Sequence, residues 1–482
     1  MTVAALTNAT CLGAKNTLPI YNEGGVLVTR VCSAWAVLAA AAMIGLGSGG
    51  NAYSSPVNDA RSGLPIGTEL DEDAPNNPRE VFHSEATRGH KSYMSNLGNL
   101  AFNSPYTLGD AARKAHISCA SCHVNGASNP KLFIPGLSTR PGTFDTTNAL
   151  FNPKTDNGVL DAVTIPSLRG ARFLGPYGHD GRTASLRDFV RNVVVNEFAG
   201  AEPSAQILDA LVAYIEDIDF LPNPNLDQTG RLSAGATAAQ KRGETLFSKP
   251  FPHESGMSCA SCHMPSAAFV DHRQHDVGSG GLYKTPTLLN ADFSAPYFHD
   301  GRFDNLGQVI DYFNRVYELG LSAQDQTDLA EYLAAVGNGV RPEYRLTGSN
   351  VLADINGFAS VLDIAISRQD TEVVVLTVRS VNDLLQDLAD HYADPPGKQV
   401  GDGVRELALA RATVAALMQN LQRIEAAIAK GHASEAAGEY LNYRKLSFAS
   451  APLALQAAEQ WSLFNPDRHA PSAARSTTGH GN

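Results

Sequence analysis

Cys119-Ala120-Ser121-Cys122-His123 occurs twice in this chain, repeated letter for letter as Cys259-Ala260-Ser261-Cys262-His263. Two thiols three positions apart can each add across a haem vinyl group, and the histidine that follows lies under the porphyrin, where its imidazole ligates iron. Each copy therefore reads as one covalently attached c-type haem. Cys119, Cys122, Cys259 and Cys262 are the attachment thiols, and His123 and His263 the iron ligands. The alternative is a structural zinc held jointly by the two cysteine pairs, or redox disulfides, and neither explains a histidine after both pairs. Two haems in one chain imply electron transfer between them.

With 482 residues the chain is too long for one ordinary core, and two or three domains are expected. An apolar content of 43% with 18% charged residues is globular in character. The formal charge of -12 argues against a nucleic-acid partner and is compatible with a basic one, such as a small electron-carrying cytochrome. Arg30 precedes an apolar run over residues 31–46, and the small residues after it end in Gly50-Asn51-Ala52. This pattern reads as an export signal over 1–52, with translation starting near Val26 or Val28 as a further reading. The run is short for a bilayer span, so no stable membrane insertion is expected after cleavage, an uncleaved anchor being the alternative. Cleavage after Ala52 would remove Cys11 and Cys32, leaving only the haem thiols among the six cysteines and no structural disulfide. Haem attachment of this kind takes place outside the cytoplasmic membrane, which places the mature protein in the periplasm.

Residues 53–80, rich in Pro, Asn, Gly and Asp, read as a linker or extended arm. A first module over 81–224 contains helical fragments interrupted at Asn103-Ser104-Pro105, the first haem motif, a long irregular loop over 124–163, and an amphipathic helix opened by Ser204 as N-cap. Leu221-Pro222-Asn223-Pro224-Asn225 breaks the chain. A second module over 225–346 follows the same plan, with a lead-in helix over about 236–246 and a closing helix opened by Ser322. Residues 347–465 read as an extension of three or four helices without cysteine, its simplest role being packing or a homodimer surface, and 466–482 as a disordered tail. The fold class is mainly α.

Residues 164–190 align without gaps on 284–310, so that Pro166, Tyr177, His179, Asp180, Gly181 and Arg182 recur as Pro286, Tyr297, His299, Asp300, Gly301 and Arg302. Duplication on this scale means two copies of one supersecondary unit. The Pro-Tyr-x-His-Asp-Gly-Arg block should be a tight turn leading into a helix, with Gly181 and Gly301 at the turn. The closing helices share a Ser-Ala-Gln start and an apolar-x-x-Tyr-apolar turn, and in this they resemble class I cytochrome c domains. Two such domains in tandem plus the helical extension are the expected architecture. Together with the Pro-Tyr-x-His-Asp-Gly-Arg blocks, they resemble the bacterial di-haem cytochrome c peroxidase family, including its MauG-like oxidase branch.

The resemblance covers residues 86 to about 346 and implies a set of residue roles. In six-coordinate family members a distal histidine lies about sixteen residues beyond the first proximal one; here Leu137-Ser138-Thr139-Arg140 stands there, and no histidine occurs between His123 and His179. The first haem is then five-coordinate and open to hydrogen peroxide. The family's distal acid/base, a glutamate downstream of the Asp-Gly-Arg turn, is matched by Glu197, whose alternative is a solvent-exposed loop residue. The family's tryptophan between the haems is replaced at His179, with Tyr177 or His179 standing in, or direct tunnelling. The second haem's usual Met or Tyr ligand is matched by Phe313, leaving Tyr312, Tyr317, His272, His275 and Met264 open. His179, Arg182, His299 and Arg302 are expected to bind and orient haem propionates. A calcium ion between domains, near residues 294–296, is a further family property. The function implied is a periplasmic peroxidase fed by a small donor cytochrome or similar redox protein. Its rivals are a MauG-like oxidase of a protein or organic substrate and a non-catalytic electron carrier.

Overall fold

The computed structural model describes residues 63–70, 77–254, 256–394 and 403–465. The export signal, most of the expected linker and the tail lie outside the described residues. The fold is mainly helical, with 51% helix and little sheet.

In the first module the chain runs through β1 (Val81–Phe82), α1 (His83–Arg88), α2 (Tyr93–Phe102), α3 (Asp110–Lys114), α4 (Cys119–Cys122), β2 (Thr143–Phe144), β3 (Val163–Thr164), α5 (Leu186–Asn192), α6 (Ala205–Asp217) and β4 (Ile218–Asp219). Ser204 caps α6 as the sequence predicts, accepting from the Ile207 N–H, and Ser92 caps α2 in the same way. The amphipathic face of α6 buries Leu208, Leu211 and Tyr214 against Leu97 and Phe102 of α2. This crossing is close because Gly98 lies in it: a Cβ there would come within 1.8 Å of the Ala210 carbonyl oxygen.

The second module repeats the arrangement with α7 (Ala238–Phe247), α8 (Cys259–Cys262), β5 (Gln274–Asp276), β6 (Leu282–Lys284), α9 (Leu306–Val316) and α10 (Ala323–Gly337). Capping boxes at Thr237 and Ser322 start α7 and α10, each satisfying two backbone donors that the first helical turn leaves unpaired. Gly243 lies at the crossing of α7 and α10, where a Cβ would come within 2.1 Å of the Asp328 carbonyl oxygen. Among the described residues the strands form two-stranded antiparallel pairs, β1 with β4, β2 with β3 and β5 with β6.

Six α-helices follow, against the three or four expected: α11 (Gly348–Ala359), α12 (Leu362–Ser367), α13 (Thr371–Asp390), α14 (Val404–Ala429), α15 (Ala433–Lys445) and α16 (Ala451–Ala458). The excess arises where continuous apolar patterns are broken locally. Ser360 and Val361 separate α11 from α12, and a π turn over Leu446–Ser450, with Pro452 just beyond, separates α15 from α16. These helices share one apolar core with α2 and α6, in which Leu352, Ile355, Val378 and Leu417 join Leu97 and Leu211. Arg79 reaches Asp354 at 2.8 Å and Ser104 meets Ser380 at 2.6 Å across the contact. The described parts of the expected linker also pack down. Glu69 pairs with Phe133 through two 2.8 Å backbone bonds, and Arg169, 1% exposed, donates to Pro78 O at 2.5 Å.

The crossing predicts that Gly98→Ala destabilises the chain by about 3 kcal/mol, the upper end for overpacking, because the obstacle is backbone. A fall in the thermal midpoint of several degrees is expected, and an unchanged midpoint would contradict the crossing.

Candidate functional site

The two Cys-x-x-Cys-His motifs form sites built on the same local plan. Each pair of cysteines lies on a one-turn helix, α4 or α8, held by reciprocal serine bonds. The Ser118 N–H donates to Ser121 Oγ at 3.1 Å, and the Ser258 N–H to Ser261 Oγ at 2.9 Å. The turn closes when the His123 N–H donates to Cys119 O and the His263 N–H to Cys259 O, both at 2.9 Å.

His123 Nδ1–H donates to Pro166 O at 3.0 Å, with Ala127 O at 3.3 Å as a second acceptor. His263 Nδ1–H donates to Phe269 O at 3.2 Å, and the Pro286 carbonyl faces it too. Pro166 and Pro286 are matched residues of the internal repeat, so the repeat supplies the carbonyl that orients each imidazole. With Nδ1 committed, Nε2 keeps its lone pair for a metal. Behind each imidazole stands the same pair of rings. Phe102 lies 6.3 Å from His123 and 5.1 Å from Tyr214, and Phe247 lies 6.4 Å from His263 and 5.1 Å from Tyr332.

This donor set fits haem c. Burial pushes the Cys119 thiol up to about 12 and the Cys259 thiol up to about 11, environments that disfavour the thiolate zinc needs. Among the described residues, three or more ligand side chains converge only at Cys262, Asp271 and His275, so the two cysteine pairs do not meet at one ion. Neither pair forms a disulfide.

An apolar cluster of Leu108, Ile117, Leu132, Leu137, Phe144 and Phe198 packs on Cys119 and Cys122. Ser138, in the segment matched to the family's distal histidine, donates to Thr143 O at 2.6 Å and serves the loop. Glu197 ends a π turn, Val193–Glu197, that continues α5 and brings its carboxyl inward, so that the side chain is 12% exposed. Arg182 Nη2 stands 3.7 Å from Glu197 Oε1. The same guanidinium donates to Asp180 Oδ1 at 3.0 Å, which divides its charge. Burial accordingly pushes the Glu197 carboxyl up to about 7, and Arg182 opposes this only in part.

The repeated blocks meet face to face. The Thr164 N–H donates to His299 O at 2.7 Å and the Lys284 N–H to His179 O at 2.9 Å, a reciprocal exchange between matched residues. His179 Nε2–H donates to Thr164 O at 2.8 Å, while the His299 ring stacks on Tyr283 at 3.8 Å. Arg302 is bound to Asp300 at 2.6 Å and to Ser279 O at 3.0 Å.

Extended without a gap past residue 190, the alignment sets Glu197 opposite Tyr317. The Tyr317 ring stacks between Phe313 and Phe251 at 6.0 and 5.0 Å, near enough to Cys262 to feel its charge. The other residues open as ligands are engaged or turned away. Tyr312 Oη–H donates to Val277 O at 2.7 Å, His272 Nδ1–H to Gly175 O at 2.7 Å, and His275 Nε2–H to Asp271 Oδ2 at 2.6 Å. Met264, next to His263 of the second motif, is exposed.

A family model for di-haem cytochrome c peroxidase matches residues 238–345. The hydrazine synthase gamma subunit of Kuenenia stuttgartiensis is 26% identical over 371 residues, covering 62% of this chain and 94% of that protein. The cytochrome c551 peroxidase of Nitrosomonas europaea is 21% identical over 299 residues, 52% of this chain and 82% of its own. MauG of Methylorubrum extorquens is 34% identical over 112 residues, 22% of this chain and 30% of its own. This chain belongs to the di-haem cytochrome c peroxidase and MauG-like superfamily.

For this superfamily member, sequence reading did not reach Lys284, whose ammonium donates to Leu174 O and Pro176 O at 2.6 and 2.8 Å. A lysine before a Thr-Pro pair carries no local signal of such a partner. The repeat alignment could have found it, since Lys284 stands where the first copy has Thr164.

The raised Glu197 affinity has a stability consequence. Its ordinary value is near 4.5, so the folded chain holds the extra proton between about pH 4.5 and 7. The stabilising share of that proton is complete below 4.5 and lost as the pH rises through 7. Relative to Glu197→Gln, the parent chain should lose on the order of 3 kcal/mol between about pH 4 and 8. Urea unfolding of both proteins at each pH checks this, and parallel pH curves would contradict it.

Proposed function

We propose that this chain is a periplasmic di-haem oxidase of the MauG-like kind, withdrawing two electrons from a protein or organic substrate and passing them to hydrogen peroxide, which becomes two waters. Supporting this is the apolar surround of Cys119 and Cys122, with the largely buried carboxyl of Glu197 at its edge and of raised proton affinity. In this reading Cys119, Cys122 and His123 hold the first haem, and Cys259, Cys262 and His263 the second.

When bound, the first haem supplies the iron at which the oxygen–oxygen bond breaks, and the second stores and relays an electron. Glu197 takes the proton from the inner peroxide oxygen and returns one to the outer oxygen, which leaves as water. A carboxyl of affinity near 7 suits both halves of that task at neutral pH. Arg182 holds the carboxyl in place, and the apolar side chains around Leu137 and Phe144 exclude bulk water. Tyr317, matched to Glu197 and near Cys262, would be among the residues that hold the second haem. His179, which joins the two repeats at their junction, is assigned to the route between the haems, and the tandem cytochrome c-like arrangement is the architecture that serves it.

A second reading is a peroxidase fed by a small cytochrome. The greater exposure of the second motif favours it, since Ser261 and Met264 face solvent while their counterparts Ser121 and Val124 are buried. Both readings require an open first iron, and an electron carrier does not. The electron paramagnetic resonance spectrum of the ferric protein should contain a high-spin signal, and two low-spin signals would exclude catalysis at either haem. Tyr317→Phe should alter the second haem's signal and leave the high-spin one intact. Glu197→Gln should cut peroxide turnover by about 10²-fold or more, the usual worth of a positioned acid/base. Turnover with a reduced small cytochrome, and none with an added organic or protein reductant, would favour the second reading.

A further inference from the structure

The turn over residues 174–182 is held less by its own module than by the other one. Leu174 O and Pro176 O accept from Lys284 Nζ at 2.6 and 2.8 Å, and His179 O accepts from the Lys284 N–H at 2.9 Å. Gly175 O accepts from His272 Nδ1–H at 2.7 Å, and Asp180 O from Gln274 Nε2. The two carbonyls between, Tyr177 O and Gly178 O, are satisfied inside the turn by the Thr183 and Gly181 N–H groups at 3.2 and 3.1 Å. Every carbonyl from Leu174 to Asp180 thus has a donor, and five of these seven bonds come from the segment around β5 and β6.

The copies are unequal here. Thr164, the counterpart of Lys284, is too short to span the matching turn, and its donors reach only two carbonyls there, Phe298 O from the hydroxyl at 3.0 Å and His299 O from the N–H at 2.7 Å. A half-buried ammonium bonded to two carbonyls is a charge-assisted contact, stronger than a neutral one, and a threonine cannot reproduce it. Just beyond the clamped carbonyls stands Arg182, the residue that reaches Glu197.

We propose that this clamp, centred on Lys284, is the positioning element for the first haem's distal acid: the second module fixes the 174–182 turn and so sets where Arg182 stands against Glu197. This rests on the reading of Glu197 as the peroxide acid/base. Lys284 touches no reacting atom. It acts through the turn, and it makes the geometry beside one haem depend on the module that binds the other.

The test uses the full-length di-haem protein with Lys284→Met, Lys284→Arg and Glu197→Gln. Lys284→Met should speed amide hydrogen exchange over 174–183 about tenfold, as losing roughly 1.4 kcal/mol of bonding would. It should also broaden the high-spin resonance of the first haem and lower peroxide turnover about tenfold, while Lys284→Arg restores all three. If Lys284→Met does not fold, His272→Phe, which removes only the Gly175 bond, makes the same comparison with smaller effects. A loosened turn with unchanged resonance and turnover, where Glu197→Gln is inactive, would overturn the clamp's role and spare the function. Unimpaired turnover in Glu197→Gln would overturn the function reading, and the clamp's role with it.

Discussion

The hydrogen bond from the motif imidazole Nδ1 to a proline carbonyl is the contact on which the rest of this structure depends. It joins two parts of the chain far apart in sequence, the motif at His123 and the repeat at Pro166. An imidazole bonded this way has one nitrogen committed and one available, which decides how it can meet a metal. The same carbonyl lies at the start of the repeat, so placing the imidazole also places the chain that leads to the turn, to Arg182 and to the helix bearing Glu197. The second copy repeats these relations with His263 and Pro286. Duplication therefore extends from sequence to the internal wiring of each site.

Duplication also frames the differences. Both copies close a helix pair over a glycine, Gly98 or Gly243, because only a bare backbone lets the helices approach that far. Around the motifs they diverge. The first is covered by residues 63–70 and 77–80, the long loop and a core continuous with the C-terminal helices, and Ser121 is 2% exposed. The second lacks that cover, and Ser261 is exposed. A site that breaks peroxide benefits from a dry surround, where a buried carboxyl keeps its proton, whereas a site that exchanges electrons needs only a short path to its edge.

Much of this was legible in the sequence, for reasons that can be named. The motifs are local, so spacing alone located the thiols and imidazoles. The caps at Ser204 and Ser322 are local too, since a serine side chain bonds an N–H three residues on. The turns at Gly181 and Gly301 follow from their left-handed φ of 62° and 70°, a conformation glycine favours. The features that escaped are non-local. Nothing in Lys284 or His272 marks them as donors to a turn about a hundred residues earlier in the chain. Nothing in α11 to α16 announces that they complete the core beside the first motif instead of forming a body of their own. The count of C-terminal helices failed because periodicity detects apolar faces and passes over a two-residue break such as that at Ser360 and Val361.

The π turn over Val193–Glu197 is where local pattern and site geometry separate. Sequence alignment equates Glu197 with Tyr317, and both end the helix that succeeds their repeat. In the first copy the final N–H, that of Phe198, bonds back five residues to Val193 O at 3.1 Å; in the second the Tyr317 N–H bonds back four, to Phe313 O at 3.1 Å. One extra residue per turn widens the helix and rotates the residues beyond it, so equal positions in sequence need not point the same way in space. The widened turn admits the short acidic chain of Glu197 to the buried side while Asn196, beside it, stays exposed and bonds Asn192 at 2.6 Å. The regular helix of the second copy ends instead in an aromatic stack of Phe251, Phe313 and Tyr317. The end of the helix thus presents different groups in the two copies, a buried carboxyl in one and an aromatic ring packed on Phe251 and Phe313 in the other.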